Sequence, residues 1–377
     1  MSFDPGTIDD RRDDLVVLTQ ELVRIPTTNP PGENYQLIAE YLAKRLKKSG
    51  FDIKILRAVG TRGDSDKYPR VNIIARKEGS RPGPCVHFNS HTDVVEAGEG
   101  WTHDPFAGEL IDGRIYGRGT CDMKGGLAAS IIAVEALIEM WPDFPGAIEI
   151  SGSVDEESGG YGGVAWLAEQ GYFSKPRVDH VIIPEPLNKD RICLGHRGGW
   201  QAEIETKGRI AHGAMPFLGD CAVRHMGAVL EAFEQDLFPA LAAKTTTMPV
   251  VPEGAKQSTM NINSIHGGQE EMQGDGLPAY CVPDSCRMVI DRRFLIEEDL
   301  QAVKDEVTGV MEKIKDQRAD FNYEIRDLNE IIPTMTAKDA PVVGAVGDAI
   351  RQVLGKQAEL VISPGSYDQK HISRIGK

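Results

Sequence analysis

Three short segments of this 377-residue chain carry acidic side chains, and one of them also has a histidine, at places where they could bind a metal ion. His91 and Asp93 end one apolar run, Asp122 lies in a glycine-rich stretch, and Asp155-Glu156-Glu157 ends a second apolar run. Histidine nitrogens and carboxylate oxygens are the ligands that zinc, cobalt and manganese use in proteins. The pattern therefore predicts a metal-dependent hydrolase.

Each segment is a weak signal by itself. His91 and Asp93 are two residues apart on an extended chain, so they point to the same side, where a carboxylate can fix the tautomer of a metal-bound imidazole. A structural histidine is the competing interpretation. The glycine-rich turn lets Asp122 be aimed inward, although a plain turn aspartate fits the same pattern.

Two further carboxylates follow the same logic. Glu156 and Glu157 are neighbours, and burying two like charges requires a cation nearby. With one of them on the metal, the other is left as a general base; on a surface loop, both would be merely solvated. Glu185 lies between Pro184 and Pro186 after an apolar strand, where it is a further candidate ligand.

The apolar runs before these segments predict the elements that position them. Residues 85–90, 147–154 and 178–184 read as strands, and residues 127–141 read as a buried helix because they are apolar nearly all round. Helices are also predicted over 14–24 and 35–49. Strands that alternate with helices favour an α/β sheet with helices on both faces, whose sites lie at the carboxyl ends of the strands.

The sequence pattern changes near Arg197. Residues 200–207 alternate as an edge-type strand, and helices over 222–233 and 300–314 accompany strands over 260–265, 287–291 and 320–326. This stretch predicts a small α+β module. The expected organisation is one α/β domain, residues 1–196 and 329–377, interrupted by an inserted domain over 197–328.

Composition excludes several classes of protein. Asp and Glu outnumber Lys and Arg by 57 to 42, a net charge of −15, which argues against a nucleic-acid partner. No apolar run is long enough to predict a membrane span, and the N-terminus lacks the apolar core of a secretory signal, so we expect a cytoplasmic location. Six scattered cysteines without a CxxC pair are expected to be free thiols.

Taken together, the segments resemble the dinuclear zinc aminoacylase/carboxypeptidase (M20) family, in order and spacing and over nearly the whole chain. The sequence around Gly365-Ser366-Tyr367-Asp368 is most similar to the acetylornithine deacetylase/succinyl-diaminopimelate desuccinylase group. The resemblance implies a zinc-exopeptidase-like mixed sheet with an inserted lid and dimerisation domain. It also implies hydrolysis of the amide bond of a small N-acyl amino acid by a homodimer.

The resemblance also implies a role for each residue. Metal ligands would be His91, Asp122, Glu157 and Glu185, with Asp122 bridging two ions. Asp93 would orient His91, and Glu156 would move the proton of the attacking water. His212 would stabilise the oxyanion, and the substrate contacts would be Asn263, Arg293, Gly365 and Ser366. The expected cofactor is one or two Zn²⁺ ions, with Co²⁺ or Mn²⁺ as alternatives.

One family feature has no counterpart in the sequence. The second metal of the family takes a histidine from well beyond the glycine-rich loop, whereas His371 follows Ser366 too closely to match it. We therefore expect either that the C-terminal end of the catalytic domain is incomplete in this sequence or that the second metal lacks a ligand.

Several other functions compete with this one. A metallo-exopeptidase uses the same machinery, and a mononuclear enzyme acting on another C–N bond or a non-catalytic binding relative keeps the fold. Gly160-Tyr161-Gly162-Gly163-Val164-Ala165 fits a dinucleotide fingerprint, but the adjacent acids would repel a pyrophosphate. No Gly-x-Ser-x-Gly elbow indicates a serine hydrolase.

Overall fold

The computed structural model describes residues 6–268 and 280–375. The chain divides into two compact units. The first comprises the described parts of 1–190, 344–357 and 367–377, and the second comprises those of 191–343 and 358–366. The division into a catalytic domain and an inserted lid at residues 197–328 stays a prediction.

The strands, numbered along the chain, are β1 Asp52–Arg57, β2 Val71–Glu78, β3 Arg81–His91, β4 Glu109–Ile111, β5 Arg114–Tyr116, β6 Pro145–Ser153, β7 His180–Ile182, β8 Arg191–His196, β9 Gly198–Lys207, β10 Thr259–Gly267, β11 Ser285–Phe294, β12 Asn322–Ile331, β13 Thr334–Met335 and β14 Glu359–Ser363. The α-helices are α1 Gly6–Asp9, α2 Arg12–Val23, α3 Tyr35–Lys48, α4 Lys124–Met140, α5 Trp166–Glu169, α6 Ala222–Ala232, α7 Phe238–Ala242, α8 Leu300–Gln317, α9 Pro341–Leu354 and α10 Gln369–Ile375. A single 3₁₀ turn, Glu156–Ser158, follows β6.

The first unit is built on a mixed sheet of order β1-β2-β6-β3-β7. The central strands β6 and β3 are parallel, as are β3 and β7, whereas β1, β2 and β6 pair antiparallel. Parallel strands end at the same edge of a sheet. The residues that follow β3, β6 and β7 therefore start from one edge, as the sequence predicts.

Both faces of this sheet are covered by apolar side chains. One face packs against α2, α3 and α4, through a core that includes Leu22, Leu42 and Ile131. The other face packs against α5 and the turn before it, through Val164 and Leu167. The predicted α/β architecture with helices on both faces is confirmed. The buried character predicted for the helix now seen as α4 is confirmed by Leu127, Ile131 and Ile132, which are at most 2% exposed.

The second unit contains a four-stranded antiparallel sheet of order β10-β11-β9-β12 and a three-stranded sheet of order β13-β8-β14. Helices α6 and α8 contribute to the core of the four-stranded sheet, together with Trp200, Phe233 and Phe294. The edge position predicted for residues 200–207 is wrong, because β9 pairs with β11 on one side and β12 on the other. Its alternation comes from one buried face, a pattern that inner antiparallel strands also show.

Most predicted elements are present with ends shifted by a few residues. The sequence did not predict the short β4–β5 hairpin, β8 or α10, which are too short or too mixed to give a periodic signal. Within residues 6–268 and 280–375, none of the helices combines the length and apolar character that crossing a membrane requires.

Candidate metal centre and active site

The candidate ligands of the first unit follow the parallel strands of its sheet. His91 is the last residue of β3, Glu157 lies in the turn after β6, and Glu185 follows β7. Asp122 comes from the loop that leads into α4. Strand ends and one helix start thus deliver four side chains from distant parts of the sequence to one place.

His91 lies at the centre of this group and is 1% exposed. Its Nε2 is 3.0 Å from Asp122 Oδ1 and 3.6 Å from Glu185 Oε1. Burial by itself lowers the pKa of His91, but hydrogen bonds with Asp122 and Asp93 outweigh burial and hold the pKa well above its usual value. The carboxylates therefore attract a positive charge at the position of Nε2.

Two glycines allow Asp122 and Glu185 to approach His91. A Cβ atom on Gly125 would lie 2.3 Å from the Thr120 carbonyl oxygen, and one on Gly126 would lie 2.3 Å from the Pro184 carbonyl oxygen. Any larger residue would push the start of α4 away from these two loops. The Gly125-Gly126 pair is therefore a steric requirement of the site.

Asp93 connects the histidine to the acidic turn and is fully buried. Its two carboxylate oxygens accept hydrogen bonds from the backbone N–H groups of Glu156 and Glu157, each at 3.2 Å. His91 Nδ1 is 3.0 Å from the Asp93 carbonyl oxygen and 3.5 Å from its carboxylate. Asp93 thus faces His91 with its backbone and fixes the Glu156–Glu157 turn with its side chain.

Asp155 supports the same turn from the opposite side. Its carboxylate pairs with Arg70 at 3.0 Å and accepts a hydrogen bond from the Tyr35 hydroxyl at 3.0 Å. Asp155 has a φ of 64°, in the left-handed region, which turns the chain sharply after β6. Asp155 is therefore a structural anchor, and Glu156 and Glu157 are left to face the site.

Little positive charge surrounds the carboxyl groups of Glu157 and Glu185, although burial and neighbouring acids disfavour their ionised forms. Burial raises the pKa of Glu157 to about 7, and Asp122, Asp93 and Glu156 add to this while His91 opposes it. Burial likewise raises the pKa of Glu185 to about 8, against the opposing effect of His91. Clustered acids of this kind favour a bound cation over a proton.

The donor set also fits a divalent metal geometrically. His91, Asp122 and Glu157 each offer one ligand atom, and these three atoms all lie within 4.8 Å of one another. Zinc binds histidine nitrogen and carboxylate oxygen at about 2.0–2.2 Å, so ligand atoms around one ion are about 3–4 Å apart. Glu185, at 3.6 Å from His91, fits the same shell.

Glu156 differs from its neighbour in its partners. Its Oε1 accepts a hydrogen bond from Lys370 Nζ at 3.2 Å, whereas its Oε2 has no hydrogen-bond partner in the part of the chain that the structure describes. Glu156 is absent from the close group of metal-ligand atoms. A carboxylate beside the candidate metal ligands, with one oxygen free of hydrogen bonds, can accept a proton.

The other predicted site residues belong to the second unit. His212 is exposed, and its Nδ1 accepts a hydrogen bond from the backbone N–H of Ala214. Asn263 lies in β10 at a register shift, and Arg293 pairs with Asp291. Gly365 and Ser366 follow β14, where the Gly365 N–H donates to Ser363 Oγ. Their role in binding substrate stays a prediction.

Sequence reasoning missed Asn29, which supports the site, and Arg197, which is buried in the second unit. Asn29 donates a hydrogen bond from Nδ2 to the Asp93 carboxylate at 2.8 Å, and it lies in the loop between α2 and α3. Arg197 is 8% exposed; the hydrogen bonds of its guanidinium go to the backbone carbonyls of Ala255 and Gln257. Burial, Arg293 and Arg292 lower the pKa of Arg197. The sequence signal that could have identified Arg197 was an arginine next to the Gly198-Gly199 pair.

Comparison with known proteins agrees with this geometry. The model of peptidase family M20/M25/M40 matches residues 87–376, more than half of the chain. The chain belongs to this family. It is a metal-dependent hydrolase that acts on amide bonds.

Individual relatives show how the family resemblance extends. A succinyl-diaminopimelate desuccinylase of Nitrosospira multiformis is 30% identical over 369 residues, covering 96% of this chain and 88% of that protein. Human carnosine dipeptidase 1 is 20% identical with a TM-score of 0.72, covering 98% of this chain and 88% of that chain. A dinuclear metal-binding M20 peptidase of Bacillus subtilis has a TM-score of 0.66 at 16% identity, covering 97% and 86%. The two structures show that the fold is shared.

Proposed function

We propose that this chain hydrolyses the amide bond of a small N-acyl amino acid. The observation that carries the proposal is the convergence of His91, Asp122 and Glu157 at ligand distance, with the carboxylate of Glu156 beside them. The relatives named succinyl-diaminopimelate desuccinylase support an acyl amino acid over a peptide. The shared fold with a dipeptidase keeps a metallo-exopeptidase as the second candidate.

The first unit would hold the metal through His91, Asp122, Glu157 and Glu185. Zinc bound there would supply Lewis acidity at the amide carbonyl and would acidify water. Co²⁺ or Mn²⁺ would suit the same ligands. Elemental analysis after equilibration with each metal would decide which ion binds and whether one or two bind per chain.

Glu156 would carry the proton. Its uncommitted Oε2 accepts the proton of the attacking water and returns it to the leaving nitrogen, as a general base and then a general acid. Asp93 keeps the backbone of Glu156 in place by accepting the hydrogen bond of its N–H group.

The remaining predicted residues would contact the substrate. We propose His212 for the oxyanion and Asn263, Arg293, Gly365 and Ser366 for the substrate, and we add Arg197 as a candidate partner for a substrate carboxylate. A buried guanidinium whose hydrogen bonds go to neutral carbonyls gains most from an anionic ligand. A homodimer and a cytoplasmic location complete the proposal.

Glu156→Gln tests the role of the base. The amide cannot accept the proton, so we expect turnover to fall by about 1,000-fold or more while the metal content stays unchanged. Elemental analysis and steady-state rates on a panel of N-acetyl and N-succinyl amino acids and dipeptides would measure both. Glu169→Gln, a surface change in the same unit, is the matched control.

The panel also separates the candidate functions. Turnover of acyl amino acids but not dipeptides supports the deacylase, and the reverse supports the exopeptidase. A metal-loaded wild-type protein that turns over neither would contradict both. Full activity of Glu156→Gln would show that another group moves the proton.

A further inference from the structure

Lys370 forms an ion pair with Glu156 that is largely removed from water. Its Nζ is 3.2 Å from Glu156 Oε1, and the side chains of Lys370 and Glu156 are 7% and 13% exposed. Exposed pairs contribute little because both side chains stay mobile, whereas a buried pair restricts both to one geometry. Among the described residues, no other lysine or arginine pairs with Glu156 or with a candidate metal ligand.

The pair leaves one oxygen of the carboxylate for chemistry. Lys370 binds Oε1, and Oε2 has no hydrogen-bond partner among the described residues. Holding one oxygen fixes the rotation of the carboxylate about its last bond. The direction in which Oε2 points is therefore set by the position of Lys370, and hence by the position of α10.

α10 is fastened at its start by Asp368, which is 1% exposed. Asp368 Oδ2 accepts hydrogen bonds from Asn89 Nδ2 at 3.1 Å and from Ser153 Oγ at 3.4 Å. In the first turn of the helix, His371 Nε2 is 2.7 Å from the carbonyl oxygen of Gly159, just after the turn that carries Glu156. α10 thus contacts β3, β6 and the loop of the base.

The attachment point of Asp368 is itself rigid. In the parallel register of β3 and β6, His87 pairs with Glu149 and Asn89 with Ser151, so their side chains share one face of the sheet. Ser151 Oγ donates to Asn89 Oδ1 at 2.7 Å and lies 2.7 Å from His87 Nε2. These four side chains are fully buried, and Arg76 pairs with Glu149 at the far end.

Ser151, His87 and Glu149 lie in the order of a nucleophilic triad, with Glu149 Oε2 3.0 Å from His87 Nδ1, although these two atoms form no hydrogen bond. A nucleophile must reach its substrate, and none of the three has exposed surface. The chain of hydrogen bonds therefore acts on the position of Asn89 and Asp368 instead of on substrate.

We infer that Lys370 is a positioning residue for the general base, and that Asp368 and Asn89 hold it in place. The inference rests on the proposed function, in which Glu156 moves the proton. Lys370 contacts the base through one oxygen, so its loss should change the rate of the chemical step and leave substrate binding and metal binding intact.

Lys370→Met tests the inference in the metal-loaded enzyme. We expect kcat to fall by about 100-fold with KM changed by less than about twofold, since a misplacement of about 1 Å has this effect on a reaction that depends on orientation. Metal content by elemental analysis should match the wild type. Lys370→Arg keeps a cation within reach and should recover most of kcat.

Asn89→Asp provides an independent variant. It places a second carboxylate against Asp368, so the start of α10 should be released and kcat should fall by about tenfold without loss of metal. Lys207→Met is the matched control, because Lys207 pairs with Glu324 on the surface of the second unit. It should leave kcat, KM and metal content unchanged.

Several outcomes would overturn the inference. One is a Lys370→Met enzyme with kcat within about threefold of wild type while Glu156→Gln is inactive; another is an equal loss in Lys370→Arg and Lys370→Met. If Lys370→Met does not fold, Lys370→Gln replaces it with the same expectations. An active Glu156→Gln enzyme would instead contradict the proposed function.

Discussion

Two groups of charged side chains in this protein, each with buried members, have opposite balances of charge. In the second unit, Glu298 and Glu306 are paired with Arg292 and Lys244, and Arg292 has no exposed side-chain surface. In the first unit, Glu157 and Glu185 lie near His91 and Asp122 without a lysine or arginine partner among the described residues. The burial is comparable, since the side chains of Glu185 and Glu298 are 9% and 12% exposed.

The pKa shifts record the difference. Burial tends to raise the pKa of Glu298, but the Leu295 N–H, Ser258, Lys244 and Arg292 together lower it. Burial raises the pKa of Glu185 to about 8, and the opposing effect of His91 does not reverse this. A buried acid paired with lysine or arginine side chains stabilises the fold, whereas a buried acid without such partners favours the binding of a metal cation.

The largest expected effect comes from removing a ligand from the unbalanced group. Asp122→Asn should weaken metal binding and reduce turnover by about 1,000-fold, about 4 kcal/mol, because an amide is a poorer metal ligand than a carboxylate. Metal titration and steady-state kinetics would measure both. The melting temperature of the chelated protein should not fall; a marked fall would mean that Asp122 has a structural role like that of Glu298.

Removing a cation from the balanced group should have the converse effect. Arg292→Met leaves Glu298 and Glu306 with Lys244 alone, so we expect a loss of about 3 kcal/mol in the free energy of unfolding. Urea denaturation would measure it, with Lys313→Met as control, since Lys313 forms an exposed pair with Asp236. Metal stoichiometry should be unchanged; an unchanged free energy of unfolding would show that the network contributes no stability.

The smallest expected effect is on the pH dependence of the free energy of unfolding, measured in a chelator that removes metal. The pKa of Glu185 is about 8 when folded and near 4.5 ordinarily, so the folded state binds the proton more tightly. Its contribution is therefore most favourable below about pH 4.5 and is lost as the pH rises toward 8. Glu185→Gln should remove this loss of stability between pH 5 and pH 9.

Glu298→Gln should change the pH dependence of the free energy of unfolding in the opposite direction. The pKa of Glu298 is lowered, so its contribution is present above about pH 4.5 and is lost as the pH falls through its folded pKa. Urea denaturation would test both variants, from pH 5 to pH 9 for Glu185→Gln and below about pH 4.5 for Glu298→Gln. Parallel pH profiles of Glu185→Gln and wild type in chelator would contradict the expected shift.

Local patterns in the sequence were enough to predict the candidate ligands and the type of sheet. His91, Glu157 and Glu185 were recognisable because each follows an apolar strand, and local periodicity is set by which residues face a core. Asp122 was recognisable from its glycine-rich turn. The position of β9 inside its sheet was not, because alternation reports a buried face and carries no information on the number of neighbouring strands.

The partner of each acid, by contrast, follows from the folded structure and not from the local sequence. Asp155, Glu156 and Glu157 are consecutive, yet the first pairs with Arg70, the second with Lys370 and the third lies with His91 and Asp122. Arg70 is 85 residues from Asp155, Lys370 is 214 residues from Glu156, and His91 is 66 residues from Glu157. Electrostatic interaction depends on distance and burial in space, and no local pattern in the sequence encodes either.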